Sequence, residues 1–350
     1  MYPALAVHSA LTAKVTDVDT LWVGGKGGME ESLVKRQGIA FTSVPAAGLH
    51  GVGLTALPGN LLTLGRGIFA ARRILREFKP NVMFFTGGYV AAPVAIAGAS
   101  IPILLYTPDI EPGLALKSLA RYADVIAVTT SQSQKFFRKK VRETGYPLRP
   151  DLSLWDRLTA TRHLGISGEK PVLLAFGGSK GARSINFAVI NHLRDLLAKF
   201  EVIHLTGDLD WQYIKQMREQ LPMDLAARYH AMPYLHEMGA AFAAADVALT
   251  RAGASVLGEF PLFGLPSILV PYPHAWRYQK VNAEYLAWRG AAVILEDHRL
   301  NTELMMTLNV LFENQNKLKS MRAAMFELSH PRAAEKIASA LIELAGVKSL

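Results

Sequence analysis

A glycine-rich turn in the middle of the sequence has the composition of a phosphate-binding loop. The segment LLAFGGSKGARSIN (173–186) has the pattern of an apolar strand, a turn and a helix start. Free N–H groups and the positive end of the helix dipole favour an anion at such a junction. Gly177, Gly178 and Gly181 permit close approach of a ligand, and Ser179 can donate its hydroxyl. Many βα turns are glycine-rich for structural reasons alone, and this one is not a Walker A loop because glycine follows its lysine.

A second junction of the same kind lies in RAGASVLGEF (251–260), where Arg251 ends a strand and Ala254 opens a helix. Glu259 lies five residues beyond Ala254, where its carboxylate could accept hydrogen bonds from vicinal sugar hydroxyls. A solvated helix glutamate is the alternative interpretation.

A third polar segment, PHAWRYQKVNAEYL, follows the next apolar strand and supplies Arg277, Tyr278, Gln279 and Asn282. Open parallel sheets bind their ligands at the carboxyl ends of the strands. We therefore expect all three segments to converge on one edge of a sheet.

Acid–base and metal-binding candidates are few. His274 follows an apolar strand and His8 lies on the first helix, although packed or capping histidines are commoner than catalytic ones. Paired aspartates, which can bind a divalent metal ion, occur only in DVD (17–19) and DLDW (208–211). We interpret both pairs as exposed loop acids and expect no metal site.

The elements around these segments alternate between strand and helix, which predicts an α/β fold with doubly wound parallel sheets. A first series of apolar strands is followed by a second that begins at PVLLAFGG (171–178). The basic segment SQSQKFFRKKV (131–141) is expected to be helical. A length of 350 residues suits two domains.

The domain boundaries follow from composition. We expect a first Rossmann-like domain at 1–150, a proline-rich and polar linker at 151–170, and a second Rossmann-like domain at 171–330. Residues 331–350 form a C-terminal helix that could pack back on the first domain.

The first domain begins with a helix instead of the strand and glycine-rich turn that usually open such a domain. Either the start codon lies upstream or the domain lacks an interior strand. The charge-free stretch 81–107 is long enough to span a membrane, but its glycines and prolines divide it into buried strands and a helix. We interpret it as core.

Charge and composition restrict the partners. The net charge is +9, and residues 1–150 hold 17 Lys and Arg against 9 Asp and Glu. No nucleic-acid motif is visible, and we expect no nucleic-acid partner. An anionic membrane surface fits better, because one predicted helix mixes apolar and basic residues, although an ordinary amphipathic helix is equally compatible. The membrane candidates are Leu61, Leu62, Phe69, Arg72 and Arg73. Cysteine is absent, which excludes disulfides and thiol catalysis.

Together these segments resemble the MurG family, the UDP-N-acetylglucosamine transferases that convert lipid I to lipid II in peptidoglycan synthesis. Matching segments follow the family's order and spacing over nearly the whole chain: YPALAV, GGYV, GYPLR, GGSKGAR, RAGASVLGE, GLPSILVPYPH and RYQKVNA. The resemblance implies a GT-B fold whose two domains face a cleft, with UDP-GlcNAc on the second domain and a polyprenyl-diphosphate-linked acceptor on the first. It also implies no cofactor and a peripheral location on the cytoplasmic face of the cell membrane.

The resemblance also assigns roles to individual residues. Ser179 and Arg149 would contact the donor diphosphate, and Leu235 would lie beside uracil. Glu259 would bind the ribose hydroxyls and Gln279 the sugar hydroxyls. The remaining donor-binding positions implied by the resemblance are Gly178, Ala254, Ser255, Val256, Leu257 and Gly258. A departing UDP develops negative charge, which helix N-termini and an arginine can stabilise without a metal.

Three features depart from the family pattern. The family's first strand and its glycine-rich loop, which ends in a possible general base, would precede Met1 and are missing from this sequence. Asp109, in YTPD, replaces a sugar-binding asparagine; it can accept a hydrogen bond or act as a base but cannot donate as an amide does. Tyr146 replaces the asparagine of the family's Gly-Asn-Pro.

The leading hypothesis is a metal-independent inverting glycosyltransferase that uses UDP-GlcNAc and a lipid-linked muramyl-peptide acceptor, with Asp109 and His274 as candidate bases. Three alternatives stay open. They are another lipid glycosyltransferase, a two-domain enzyme like the UDP-GlcNAc 2-epimerases, and a catalytically silent protein that binds nucleotide sugars.

Overall fold

The computed structural model describes residues 1–25, 30–46, 57–274 and 277–346, with backbone alone at 57 and 58. The strands of the described residues, in chain order, are β1 (Leu21–Gly25), β2 (Ala40–Val44), β3 (Met83–Phe85), β4 (Ile103–Thr107), β5 (Val125–Val128), β6 (Val141–Glu143), β7 (Val172–Phe176), β8 (Glu201–Leu205), β9 (Tyr229–Met232), β10 (Val247–Thr250), β11 (Ser267–Leu269) and β12 (Ala292–Ile294).

Helices connect these strands. They are α1 (Tyr2–Thr12), α2 (Glu30–Arg36), α3 (Leu57–Phe78), α4 (Ala91–Ala97), α5 (Leu114–Leu119), α6 (Arg157–Leu164), α7 (Arg183–Asn191), α8 (Leu193–Lys199), α9 (Asp208–Glu219), α10 (Met223–Ala226), α11 (Met238–Ala244), α12 (Val256–Phe263), α13 (Tyr278–Trp288), α14 (Leu300–Glu313), α15 (Gln315–Glu327) and α16 (Ala333–Ala345). Short 3₁₀ helices lie at Ser131–Phe136, Pro150–Leu154 and Asp297–Arg299.

The chain forms two compact units. The first comprises Met1–Leu148 and Pro331–Leu350, and the second comprises Arg149–His330. Helix α16 therefore belongs to the first unit, where it packs against α1 and β4. The apolar face of α16, which includes Ile337 and Leu341, is buried together with Leu104 of β4. The burial of this face explains why the end of the chain returns to the unit that contains its beginning.

The first unit contains two parallel sheets, one of order β1-β2 and one of order β3-β4-β5-β6. Helices α3, α4 and α5 bury one face of the larger sheet, including Ile103 and Leu105, and α1 and α16 bury the other, including Leu104 and Tyr106. A strand covered on both faces needs apolar side chains at every position, which explains why the stretch 81–107, which contains β3 and β4, carries no charge.

The second unit has one six-stranded parallel sheet of order β12-β11-β10-β7-β8-β9. Strand β7 pairs with β8 on one side and with β10 on the other. The chain moves outward in one direction after β7 and in the opposite direction after β10. Such a switch point opens a crevice at the carboxyl ends of the two strands, and open α/β sheets bind ligands there.

Two segments differ from the sequence prediction. The basic segment 131–141 is not a continuous helix: a 3₁₀ helix spans Ser131–Phe136, and Val141 begins the edge strand β6. The predicted linker 151–170 is largely ordered. It contains α6, whose N-terminus is closed by a capping box between Asp156 and Thr159, and α6 packs against α11. Buried apolar side chains such as Leu152 and Ala160 anchor this polar segment within the second unit.

No described helix is long and apolar enough to cross a membrane. The charge-free stretch forms β3, α4 and β4, as its glycines and prolines predict.

Candidate functional site

The glycine-rich loop between β7 and α7 is closed by backbone contacts that only glycine permits. Gly178 and Gly181 have φ angles of 93° and 77°, and the Gly181 N–H donates to the Gly178 carbonyl at 2.9 Å. A Cβ on Gly177 would lie 2.1 Å from the Ala182 nitrogen, and one on Gly181 would lie 2.1 Å from the Thr206 carbonyl oxygen. The loop therefore packs directly on the turn after β8. The conformation of the loop therefore requires glycine at positions 177, 178 and 181.

The tip of this loop is open to ligand. Gly178, Ser179 and Lys180 are exposed, and α7 begins three residues later at Arg183. Because the first turn of a helix has N–H groups that the helix itself does not use, this exposed tip can bind a phosphate.

A buried polar network supports the loop from below. The Asn186 side chain donates to the Thr206 carbonyl at 2.8 Å and to Asp210 at 2.9 Å. His204 bonds Asn186 through Nε2 at 3.1 Å and the Tyr229 hydroxyl through Nδ1 at 2.8 Å. Burial lowers the pKa of His204 to about 3, so the ring is neutral at physiological pH. The network fixes α7 relative to the turn after β8.

The second junction lies directly beside the first. Phe176, the last residue of β7, pairs with Thr250, the last residue of β10. The glycine-rich loop and the Arg251–Ser255 segment therefore begin at the same level on neighbouring strands. The sequence prediction that these segments share one sheet edge is confirmed by this pairing.

Helix α12 begins with a tight turn, in which the N–H of Val256 donates to Gly253 at 3.2 Å and that of Leu257 donates to Ala254 at 3.2 Å. The backbone at Ala254 and Ser255 precedes the regular helix, and its N–H groups lie at the positive end of the dipole. Two helix N-termini therefore lie side by side at the switch point.

Glu259 lies in the first turns of α12 and is partly buried. Burial raises the pKa of its carboxyl, while a hydrogen bond from the Ser255 hydroxyl and the charge of Arg149 act in the opposite direction. The structure thus brings Arg149 close to Glu259, although 110 residues separate them in the sequence. Arg149 also lies 3.5 Å from Asp151. A guanidinium and a partly buried carboxylate near a helix start are suited to bind a phosphorylated sugar.

The third predicted segment reaches the same edge through α13. The Gln279 Oε1 accepts a hydrogen bond from the Tyr272 N–H at 2.9 Å. Asn282, which is fully buried, donates from Nδ2 to the Ala252 carbonyl at 3.1 Å. Asn282 therefore has a structural role, because it ties α13 to the loop after β10. Gln279 is the second residue of this helix, and its side chain is partly buried.

Leu235, predicted to lie beside a nucleotide base, follows β9 on the carboxyl side of the same sheet and is nearly buried, at 9% exposure. The rings of its two neighbours, Tyr234 and His236, contact each other with centroids 4.9 Å apart. Leu235 thus belongs to the second unit, with Ser179, Glu259 and Gln279.

The two candidate bases lie in different units. His274 is an exposed residue of the second unit, and its ring centroid is 5.4 Å from that of Tyr272. Asp109 follows β4 in the first unit and interacts electrostatically with the buried Tyr106, whose pKa is raised mainly by burial. His8 is on α1, where burial lowers its pKa.

The aspartate pairs differ from the prediction in one respect. Asp17, Asp19 and Asp208 are exposed as expected, but Asp210 is buried within α9 and accepts the Asn186 hydrogen bond described above. The prediction was wrong because the DLDW segment begins a helix, so its third residue faces the core. In the described part of the chain, no group of three or more His, Asp or Glu side chains could hold a metal ion.

The membrane candidates lie on α3 in the first unit. Leu61, Leu62 and Phe69 are 56%, 60% and 79% exposed. Arg72 and Arg73 are also exposed, and Arg73 donates to Glu77 at 2.9 Å, one turn along the helix. Leu62, Phe69 and Arg73 recur at intervals of seven and four and share one face of the helix.

Two residues at the sheet edge are not predicted from the sequence. Ser184 and Asp297 both bond the side chain of Arg251. Asp297 follows β12, a three-residue strand that sequence patterns did not reveal. Identifying AAVIL as a strand would have placed Asp297 at the carboxyl edge.

Family models match both units. The glycosyltransferase family 28 N-terminal domain matches residues 1–128, and the glycosyltransferase family 28 C-terminal domain matches residues 172–337. A relative from Roseiflexus sp. (strain RS-1) is 37% identical over 97% of this chain and 91% of its own length. One from Desulforudis audaxviator is 38% identical over 99% and 95%. Both are named UDP-N-acetylglucosamine--N-acetylmuramyl-(pentapeptide) pyrophosphoryl-undecaprenol N-acetylglucosamine transferase.

Solved structures show the same architecture. The crystal structure of Acinetobacter baumannii MurG matches with a TM-score of 0.77 and 25% identity, over 98% of this chain and 95% of that one. The UDP-GlcNAc 2-epimerase from Neisseria meningitidis matches with a TM-score of 0.68 at 12% identity, over 98% and 96%, which is a likeness of fold alone.

Two α/β units with parallel sheets, matched by the N-terminal and C-terminal domain models of glycosyltransferase family 28, define a two-domain glycosyltransferase of the GT-B class. On the full-length identity to its curated relatives, the chain belongs to the MurG family.

Proposed function

We propose that this protein transfers N-acetylglucosamine from UDP-GlcNAc to a muramyl-peptide diphospho-undecaprenol acceptor, the step from lipid I to lipid II in peptidoglycan synthesis. The observation that carries the proposal is the pairing of Phe176 with Thr250, which sets two helix N-termini side by side at the switch point of the second sheet. The names of relatives that match 97% and 99% of the chain supply the substrate class.

The donor would bind to the second unit. Main-chain N–H groups of the glycine-rich loop and of Ala254 and Ser255 would hold the diphosphate, aided by Arg149 and the Ser179 hydroxyl. Glu259 would accept hydrogen bonds from the ribose hydroxyls, Leu235 would contact uracil, and Gln279 would contact the sugar.

The reaction is an inverting displacement at the anomeric carbon of the donor sugar. The acceptor hydroxyl oxygen forms the new bond to that carbon, the bond from the carbon to the UDP oxygen breaks, and UDP leaves with the electron pair. Negative charge grows on the diphosphate as it leaves. Helix N-termini and Arg149 stabilise that charge from fixed positions, so this step needs no cofactor in our proposal.

The acceptor hydroxyl must lose its proton, and Asp109 and His274 are the two described groups proposed as its base. Asp109 replaces an amide of the family pattern, so it can accept a proton where the asparagine cannot. Replacing each residue separately, as Asp109→Asn and His274→Gln, identifies the base: loss of the base lowers kcat by about 10²–10⁴-fold with little change in donor KM.

The first unit would carry the acceptor and contact an anionic membrane, because α3 exposes both apolar and basic side chains. We expect Leu61→Ser, Leu62→Ser and Phe69→Ser together to lower cosedimentation with vesicles that contain phosphatidylglycerol. The matched control is the pair Leu154→Ser and Leu158→Ser in the second unit, where both leucines are more than two-thirds exposed, at 77% and 68%. Equal binding by the two variants would contradict a membrane role for α3.

A transfer assay tests the whole proposal. Purified protein is incubated with radiolabelled UDP-GlcNAc and a lipid-linked muramyl-peptide acceptor, and label is extracted with the lipid. We expect labelled lipid and free UDP only when the acceptor is present. UDP-ManNAc formed without acceptor would instead favour the epimerase alternative, and UDP binding without any conversion would favour the silent paralogue.

A further inference from the structure

The side chain of Arg251, at the end of β10, forms hydrogen bonds with three different groups. Its side chain is only 11% exposed. One terminal nitrogen donates to the Val270 carbonyl at 3.2 Å and also bonds the Asp297 carboxylate. The other donates to the Ser184 hydroxyl at 2.8 Å. Each of the three acceptors lies on a different segment of the chain.

Two further contacts complete the network. The Ser184 hydroxyl donates to Asp297 Oδ1 at 2.7 Å, which closes a triangle of three side chains. The guanidinium carbon of Arg251 lies 5.2 Å from the centroid of the Tyr272 ring, and the Tyr272 N–H bonds Gln279. The residues that follow β7, β10, β11 and β12 are therefore joined at the carboxyl edge of the sheet.

We propose that Arg251 is a positioning residue for the donor: it holds these four segments in register so that the two helix N-termini and Gln279 face one diphosphate sugar. This inference rests on the proposed function. Asp297 compensates the charge of Arg251, so the arginine acts through alignment of the neighbouring loops and not by attracting phosphate. A guanidinium suits this role because its planar donors bond several acceptors in fixed directions.

The same strand offers a matched comparison at its other end. Asp246, just before β10, is held by Arg157 through two hydrogen bonds of 2.9 Å each. Both arginines thus anchor the ends of one strand through a carboxylate. Of the two arginines, Arg251 lies at the carboxyl edge, where a ligand would bind. Comparing variants of the Arg251–Asp297 pair with a variant of the Arg157–Asp246 pair therefore distinguishes a specific effect on donor binding from a general effect on stability.

The test measures donor KM, acceptor KM, kcat and melting temperature for Arg251→Gln, Arg251→Lys, Asp297→Asn and the control Arg157→Gln. We expect Arg251→Gln and Asp297→Asn to raise donor KM by about tenfold or more, because small displacements of binding groups are costly, with acceptor KM unchanged. Arg251→Lys should fall between wild type and Arg251→Gln. Arg157→Gln should lower the melting temperature yet leave donor KM within about twofold of wild type.

The double variant Arg251→Gln with Asp297→Asn should be no worse than the more affected single variant, since both remove one network. If any variant does not fold, Ser184→Ala removes a single hydroxyl and should still raise donor KM severalfold. Donor KM values no higher than that of Arg157→Gln would overturn the inference. Wild-type protein that neither binds UDP nor transfers sugar would instead contradict the proposed function, whereas intact wild-type transfer with unaffected Arg251 variants would contradict the positioning role alone.

Discussion

Replacing Gly181 by alanine should damage both stability and donor binding, and its cost follows from the geometry of the glycine-rich loop. The φ angle of Gly181 is 77°, a conformation that costs an L-residue about 1–2 kcal/mol. In addition, the new Cβ would lie 2.1 Å from the Thr206 carbonyl oxygen, so the loop or the turn after β8 must move. Overpacking of this kind costs about 1–3 kcal/mol. We therefore expect Gly181→Ala to lower the free energy of unfolding by about 2–5 kcal/mol.

Gly165→Ala provides the control for this prediction. Gly165 has a similar φ angle of 68° at the end of α6, but a Cβ there would meet no atom within 4 Å. Gly165→Ala should therefore show only the conformational cost of about 1–2 kcal/mol. Urea unfolding followed by tryptophan fluorescence measures the stabilities, and calorimetry measures UDP affinity. We expect UDP affinity to fall about tenfold or more in Gly181→Ala and to stay unchanged in Gly165→Ala. Equal stabilities and equal UDP affinities in the two variants would refute the argument.

Three further predictions concern carboxylates. Glu259→Gln should weaken UDP binding by roughly tenfold to a hundredfold, because hydrogen bonds to a charged group are lost. The melting temperature should not fall, since burial already disfavours the charged carboxylate. Unchanged UDP affinity would be inconsistent with a role of Glu259 in binding the ribose. Burial acts to raise the pKa of Glu201, but hydrogen bonds from Ser167, His230 and Gly168 outweigh it and lower the pKa below 4.5. The charged Glu201 therefore stabilises the fold above pH 4.5, and this stabilisation is lost as the pH falls through the lowered pKa. Glu201→Gln should therefore be about 1–3 kcal/mol less stable than wild type at pH 7, with a gap in urea unfolding that narrows as pH falls below 4.5; a gap independent of pH would contradict this. Asp109→Asn should retain UDP affinity in calorimetry, because Asp109 lies in the first unit; a large loss of UDP affinity would contradict its assignment outside the diphosphate site.

The sequence predicts the α/β class and the two glycine-bounded helix starts because long apolar strands and glycine turns are strong local signals. It does not predict β6, β9 and β12, which have three or four residues each and lie at or near sheet edges. Edge strands bury little, so their apolar pattern is weak. The error over residues 131–141 has this origin, because β6 is formed by pairing with β5 and not by local preference.

The candidate site shows the same limit. Gly177, Ser179 and Glu259 are found from local motifs, whereas the electrostatic interaction of Arg149 with Glu259 joins distant segments of the chain, which no local pattern reveals. Asp297 is not predicted because the strand before it, β12, is not predicted. The sequence predicts a surface position for Asp210 because a helix start can resemble a polar loop, whereas its burial and its hydrogen bond with Asn186 show that it faces inward.

Titration of the full chain with UDP and with UMP tests the central claim most directly, since the claim is that main-chain amides at two neighbouring helix starts, together with Arg149, hold a uridine diphosphate. The account predicts saturable heat and a raised melting temperature with UDP, and clearly weaker binding of UMP, which lacks one phosphate. Absence of both heat and thermal shift with UDP, or equal affinity for the two nucleotides, would contradict it.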